Sequence, residues 1–413
     1  MNTTRQYTTS HAPWRRRASV AVLVATALVQ RVEAQSATSP YFPGATWERR
    51  KPEQVGMDPQ RVQEAISHAR ANPSETLESK TAEDAVRSQL AFLKTFGEPP
   101  EGNEILGPMK APKDVNGIIV RNGYIVAEFG DIKYVDLTAS LSKSIVSTVA
   151  GVAYDRKLIP SLDARVGDVV RDGGYDSPHN AAITWRQMLQ QTSEWEGTLW
   201  DKKDLYDRRT RRGGEPLRAP GAFWDYNDVR VNRLALSLLR VFNRPLPEVL
   251  KEQVMDPIGA SSTWEWHGYR NSYVEIAGKR VQSVSGGAHW GGGFWSNAED
   301  LARLGLLYAR NGSWNGRQIL SPAWIAEATT PARVTSTPPQ TRYNYGFLFW
   351  LNADPRRPFA KTGSPKGYTM AGGGGYYTWM DPENDLVIVV KNLGGSMQQY
   401  GDFVSMVTSA IRK

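Results

Sequence analysis

The sequence predicts an α+β protein: an antiparallel sheet flanked by helices, with a mainly helical segment inserted into it. Three observations carry this. Strand-like runs gather at both ends of the chain, Ile118-Ile119-Val120 and Tyr124-Ile125-Val126 early, Tyr376 to Met380 and Leu386 to Val390 late. Helical periodicity fills the middle, and strands do not alternate with helices as they would in a parallel βαβ sheet. Between the two early strands, Arg121-Asn122-Gly123 is a tight-turn signal that calls for antiparallel pairing.

The elements follow in order. Arg15-Arg16-Arg17 precedes an apolar run from Ala18 to Val29, and Val32-Glu33-Ala34 offers a small-residue cleavage site. This is the order of a secretory signal, so residues 1–34 are expected to direct the protein to the periplasm or outside the cell. The apolar run is too short for an ordinary membrane span, and no stable membrane anchor is expected. The arginines hint at twin-arginine export, although Ala18-Ser19-Val20 matches that signal poorly.

Residues 35–112 read as an N-terminal extension. Asp58 with Pro59 behind it starts a helix well, and Val62, Ala65 and Ile66 give that helix an apolar face. Thr81 to Thr95 suggests a second helix and Gly97 to Pro112 a loop. The extension is expected to serve as a scaffold or to cover one edge of a site. Residues 113–413 form the main domain, with the helical insertion at about 150–320.

Within that domain, Ile183 to Leu189, Asp228 to Phe242 and Pro247 to Met255 read as helices. Gly291-Gly292-Gly293 leads to a helix capped by Ser296 or Asn297, and Ser321-Pro322 starts another. Tyr345 to Leu351 reads as a strand and Phe403 to Ile411 as the closing helix.

Composition excludes several classes. The 413 residues contain no cysteine, so disulfides, thiolate metal sites and a lipidated N-terminal Cys are absent. The five histidines show no metal-ligand spacing, and neither metal nor cofactor is expected. Net charge is +8, but residues 1–34 hold five of the arginines and one glutamate, leaving about +4 in the rest. The one dense basic run, Arg208-Arg209-Thr210-Arg211-Arg212, could meet an anionic surface. Gly213-Gly214 and Pro216 beyond it favour a solvated loop, and no nucleic-acid partner is expected.

The chemistry concentrates at Thr138-Ala139-Ser140-Leu141-Ser142-Lys143, which holds the one S-x-x-K of the chain. Positions i and i+3 share a helix face, so Ser140 and Lys143 can touch if a helix starts near Ser140. A serine hydroxyl becomes nucleophilic only when a neighbour takes its proton, and a shielded lysine can be that neighbour. The backbone N–H of a serine at a helix start can also face a developing oxyanion. The same residues also suit a serine-rich helix start with a solvated lysine. No G-x-S-x-G is present, which disfavours a nucleophile-elbow hydrolase.

Two more stretches supply context: Pro220 to Asp228, which contains Tyr226-Asn227-Asp228, and Ala371-Gly372-Gly373-Gly374-Gly375-Tyr376-Tyr377. With the S-x-x-K these resemble the serine beta-lactamase and penicillin-binding-protein superfamily, in its class C-like branch of esterases, D-aminopeptidases and 6-aminohexanoate-oligomer hydrolases. The likeness runs from about Gly117 to the C-terminus. It implies that Ser140 is acylated, that Lys143 is its base partner, and that Tyr226 is the tyrosine of the family's Y-x-N. Asp228 stands where that pattern has Asn, and could hold Lys143 charged or bind a substrate amine.

Lys361-Thr362-Gly363 reads literally as the family's K-T-G. Its distance from Asp381-Pro382 instead favours Gly372-Gly373-Gly374 as the edge strand, with a backbone N–H near Gly373 as second oxyanion donor. In that arrangement no K-T-G lysine docks a beta-lactam carboxylate. Trp195, Trp200, Trp224, Trp264, Trp266, Trp290 and Trp295 cluster in the insertion, and some of them, Trp195 foremost, are expected to wall a substrate pocket. The resemblance thus implies an exported serine hydrolase acting on a small ester or amide. A beta-lactamase or D,D-peptidase is one alternative, and a non-catalytic penicillin-recognising or peptidoglycan-binding protein is another.

Overall fold

A computed structural model describes residues 40–94, 104–204, 216–287, 292–334 and 344–412. The expected signal segment, the basic run at 208–212 and Trp290 lie outside the described residues.

The first helix, α1 (Pro59–Ala71), starts as its sequence dictates: the Asp58 carboxylate accepts from the backbone N–H groups of Gln60 and Arg61. A second, α2 (Ala82–Lys94), follows. Strands β1 (Asn116–Arg121) and β2 (Tyr124–Phe129) form the expected hairpin. Asn122 (φ 53°) and Gly123 (φ 84°) both take the left-handed conformation that such a turn needs. Next come β3 (Asp136–Leu137) and α3 (Ser142–Asp155), then α4 (Trp185–Leu189) and the short pair β4 (Thr198–Leu199) and β5 (Lys202–Lys203).

Helices α5 (Asp228–Phe242) and α6 (Leu246–Leu250) lead to β6 (Glu265–Ile276), β7 (Lys279–Val284) and β8 (Gly293–Ser296). Then come α7 (Ala298–Ala309), β9 (Ser313–Trp314), β10 (Arg317–Gln318) and α8 (Pro322–Ala328). The chain closes with β11 (Asn344–Tyr345), β12 (Trp350–Leu351), β13 (Tyr368–Gly372), β14 (Tyr376–Asp381), β15 (Leu386–Lys391) and α9 (Met397–Ser409).

Among the described residues, β11-β12-β13-β14-β15-β1-β2 form one seven-stranded antiparallel sheet. The two ends of the chain meet in it, with Ile118 opposite Val389 and Val120 opposite Val387. On one face, α1 and α9 bury Val62, Ile66, Phe403 and Val407 against Ile119, Ile388 and Val390. The other face carries the larger core, built on α3, α5 and α7. Alternate residues of β1 and β15 therefore serve opposite cores, as the two-residue strand period requires. The α+β class expected from the sequence is the one observed.

The mainly helical insertion also holds β6 and β7, which join β3 and β8 in a second, four-stranded sheet. Two local readings differ. Tyr345 to Leu351 is not one strand; it folds back at 346–349, where Leu348 takes a left-handed φ of 64°. Gly373 and Gly374 lie in the turn after β13 rather than in the strand, since the ladder ends with Gly372 opposite Tyr376. Among the described residues, no helix is long and apolar enough to cross a membrane.

Candidate active site

Ser140 lies in a single 3-10 turn, Ala139–Leu141, that runs directly into α3. The turn is fixed from both sides. Thr138 donates its N–H (2.9 Å) and its hydroxyl (2.6 Å) to the carbonyl of Phe294 on β8. Ser142 donates its hydroxyl to the Ala139 carbonyl (2.7 Å) and accepts from the Phe294 N–H (2.9 Å). Ala139 holds a left-handed φ of 49°, unusual for a residue with a Cβ, so the bend immediately before Ser140 is strained. Ser140 is half-buried, while Ser142 to Ala153 of α3 are buried, as befits a helix enclosed on all sides. Gly151 allows this enclosure: a Cβ there would stand 2.5 Å from the indole nitrogen of Trp324.

The i, i+3 spacing brings the Lys143 Nζ to 3.0 Å from the Ser140 Oγ, to which it donates. Lys143 is 1% exposed. Its ammonium is in direct ionic contact with the Asp228 carboxylate, itself buried at the first position of α5. The same nitrogen lies 4.6 Å from the Tyr226 ring centroid, and the Tyr226 phenol also hydrogen-bonds it. Burial alone would depress the Lys143 pKa; the Asp228 carboxylate, with Tyr226 beside it, outweighs burial and holds Lys143 above the ordinary lysine value.

Tyr226 and Asp228 owe their places to the start of α5. Asn227 caps the helix, accepting from the Arg230 N–H (3.0 Å), and its own N–H donates to the Gln191 side chain (2.6 Å). Arg230 donates to Asp225 (2.8 Å), to Asp204 (3.1 Å) and to the Trp195 carbonyl (2.9 Å). The Tyr226 ring stacks on Trp350 (5.8 Å, 27°) and meets Tyr345 edge-on (6.1 Å, 81°).

The structure thus brings Ser140, Lys143, Tyr226 and Asp228 together. Gly373 lies in the turn directly after β13 and shares a cleft lining with Ala139. A Cβ on its neighbour Gly372 would collide with the Thr138 carbonyl and stand 3.1 Å from the Leu141 nitrogen, so this strand end packs on the Ser140 turn. The Asn352 N–H donates to the Gly367 carbonyl (2.9 Å), so residues 367, 369 and 371 aim their backbone groups away from β14. β12 pairs only with Tyr368 and Thr369, which leaves the edge at Ala371 and Gly373 uncovered by it.

Trp195 belongs to a different network. Its indole N–H donates to the Gly174 carbonyl (2.7 Å), and its ring lies 5.9 Å from the Arg233 guanidinium. Of the other tryptophans, Trp224 stands beside Tyr226 (6.2 Å), while Trp266 and Trp295 are core. Lys361 is exposed on the α9 side, with its backbone N–H on the Ser405 hydroxyl (2.8 Å).

Sequence reasoning does not reach Gly287, whose added Cβ would lie 3.1 Å from both the Lys143 Nζ and the Asp228 Cγ. The small-residue run Ser285-Gly286-Gly287 is the one local sign of that close approach. Gln191 and Tyr345 are also missed, because their neighbours are set by long-range packing. Among the described residues, no group of three or more His, Cys, Asp or Glu is placed to hold a metal ion.

The family match, with a fold that agrees with it, places the chain among the hydrolases of the beta-lactamase class. Residues 137–395 match the family model described as Beta-lactamase, and the chain belongs to that family. It is similar to a 6-aminohexanoate-dimer hydrolase of Paenarthrobacter ureafaciens, 24% identical over 303 residues that cover 66% of this chain and 70% of that one. It shares its fold with a penicillin-binding protein homolog from Caulobacter crescentus (TM-score 0.53, 17% identity, 78% of this chain and 97% of that one). A family VIII carboxylesterase is equally alike (TM-score 0.52, 18% identity, 79% and 96%).

Proposed function

We propose that the protein is an exported serine hydrolase that cleaves a small ester or amide through an acyl-enzyme on Ser140. The observation that carries this is the Lys143 ammonium set between the Ser140 hydroxyl and the Tyr226–Asp228 pair, shut away from water. Asp228 keeps Lys143 protonated, and an ammonium that donates to Ser140 cannot take its proton. Lys143 instead polarises the serine. Once Tyr226 has released its own proton to solvent, its phenolate takes the Ser140 proton as the serine attacks, and returns it to the departing oxygen or nitrogen.

The backbone N–H of Ser140 and that of Gly373, or Ala371 on the same open edge, face the developing oxyanion. Water then enters on the same proton path and releases the acid. The position of Lys361 supports esters and linear amides over beta-lactams, because no K-T-G lysine stands at the Ser140 turn to hold a carboxylate. The relatives named a 6-aminohexanoate-dimer hydrolase and a carboxylesterase point to the same two bond types.

The test is hydrolysis of p-nitrophenyl acetate and of a linear amide by the purified full chain, beside Ser140→Ala. Loss of turnover in a variant with unchanged circular dichroism supports the acyl-enzyme. Equal rates in the two proteins sink it.

A further inference from the structure

We infer that the N-terminal extension builds the acyl-chain subsite of the enzyme. This rests on the reading of Ser140 as the acylated serine. A cleft of about 520 Å³, part of it open to solvent, lies beside the Ser140 turn. Ala139 and Gly373 line its inner end, and Leu137 and Tyr376 line its floor. Its outer wall comes from another part of the chain: Thr76, Ala85 and Ser88 around α2, with Met109 from the segment that follows.

Those wall residues all precede residue 137, where the match to the family model begins. They are anchored. Ala85 is buried, the Thr76 hydroxyl lies 3.3 Å from the Asn392 side chain, and Met109 packs against Val135, Leu137 and Trp295.

The direction of the cleft decides which arm of the substrate it takes. The group that protonates the leaving atom must stand within hydrogen-bond reach of it. Tyr226 and Lys143 therefore mark the leaving-group side. None of Ser140, Lys143, Tyr226 and Asp228 lines this cleft; it meets the site through Ala139, the residue before Ser140, and Gly373. The acyl arm is the part of a bound ester or amide that points there. More of the lining is carbon than polar atoms; its polar groups include the hydroxyls of Thr76, Ser79 and Ser88, the Gln89 amide, the exposed Lys110 and Asp136, whose carboxylate is already paired with Lys391. This suits a mostly apolar chain of modest length. Each methylene buried there raises kcat/KM roughly fourfold until the cleft is full.

The experiment compares p-nitrophenyl acetate, butanoate, hexanoate and octanoate with the full chain, Ala85→Phe and Met109→Ala. The wild type is expected to favour butanoate or hexanoate over acetate. Ala85→Phe narrows the wall and should cut the hexanoate-to-acetate ratio about tenfold, while Met109→Ala should move the preference towards octanoate. A parallel series of acetates with lengthening alcohols should respond to neither substitution. Folded variants with the wild-type acyl profile, or a response confined to the alcohol series, overturn the inference. Ser140→Ala separates the two readings: if it abolishes hydrolysis while Ala85→Phe leaves the acyl profile unchanged, the nucleophile stands and the subsite falls.

Discussion

The ammonium of Lys143 and the carboxylate of Asp228 touch at the base of the Ser140 turn, 1% and 7% exposed. Removing one partner of a buried pair leaves the other charge uncompensated, which costs about 3–5 kcal/mol. Asp228→Asn should therefore unfold at lower urea at pH 7. The sign of its pH dependence follows from Lys143. In the wild type the raised Lys143 pKa keeps the pair's contribution whole below 10.5, losing it only as pH climbs through the raised value. In Asp228→Asn burial acts without that carboxylate, so folded Lys143 sheds its proton below 10.5. The variant's deficit should then shrink as pH rises from 7 towards 10, and urea titrations at several pH values read this directly. A deficit constant with pH would exclude Lys143 as its source.

Tyr226→Phe keeps the ring that Trp350 and Tyr345 hold and removes only the hydroxyl. Its stability should change little, while kcat falls about 10²–10⁴-fold. The loss should be larger for an amide, whose nitrogen must be protonated to leave, than for a p-nitrophenyl ester. Equal losses on both substrates would remove Tyr226 from the proton path.

Two adjacent glycines make a matched pair. A Cβ at Gly372 meets the Thr138 carbonyl beneath the Ser140 turn, whereas a Cβ at Gly373 meets nothing within 4 Å. Gly372→Ala should lose about 1–3 kcal/mol and much of the activity, because the turn must shift. Gly373→Ala should stay within about 0.5 kcal/mol of the wild type. Thermal melts and ester kinetics on both variants check the contrast.

Arg230 ties Asp204, Asp225 and the Trp195 carbonyl to the start of α5. Arg230→Leu leaves two buried carboxylates without their shared partner and should cost about 3–5 kcal/mol. It should also lower kcat at temperatures where the protein stays folded, because Tyr226 and Asp228 stand on that segment. Wild-type kcat in a destabilised variant would show that the network serves stability alone.

What the sequence makes legible is mostly local. The nearness of Lys143 to Ser140 needs one helical turn, and the bounds of α5 follow from the Asn227 cap and the leucine period. The α1 start and the β1–β2 hairpin are written in Asp58-Pro59 and Asn122-Gly123. The β6–β7 hairpin is less legible: a register shift between Gly268 and Tyr273 breaks the two-residue period, and only Val274, Ile276 and Val281 keep it. Contacts made across the fold are barely legible: Gly287 on Lys143 shows only as a small-residue run, and Gln191 on Asn227 leaves no mark at either position, because the partners meet only once the core has formed.

The seam where β1 meets β15 has a kinetic consequence. Ile118 and Val389 are neighbours in the sheet but lie far apart in the chain. During synthesis the β1–β2 hairpin has no partner on that side until residue 391 emerges, roughly 15–50 s later at ordinary elongation rates. For that interval Ile118, Ile119 and Val120 present an open, apolar strand edge, the kind that pairs with other chains. The protein is therefore expected to fold late and slowly, after the chain is complete, and to depend on something that shields that edge in the meantime.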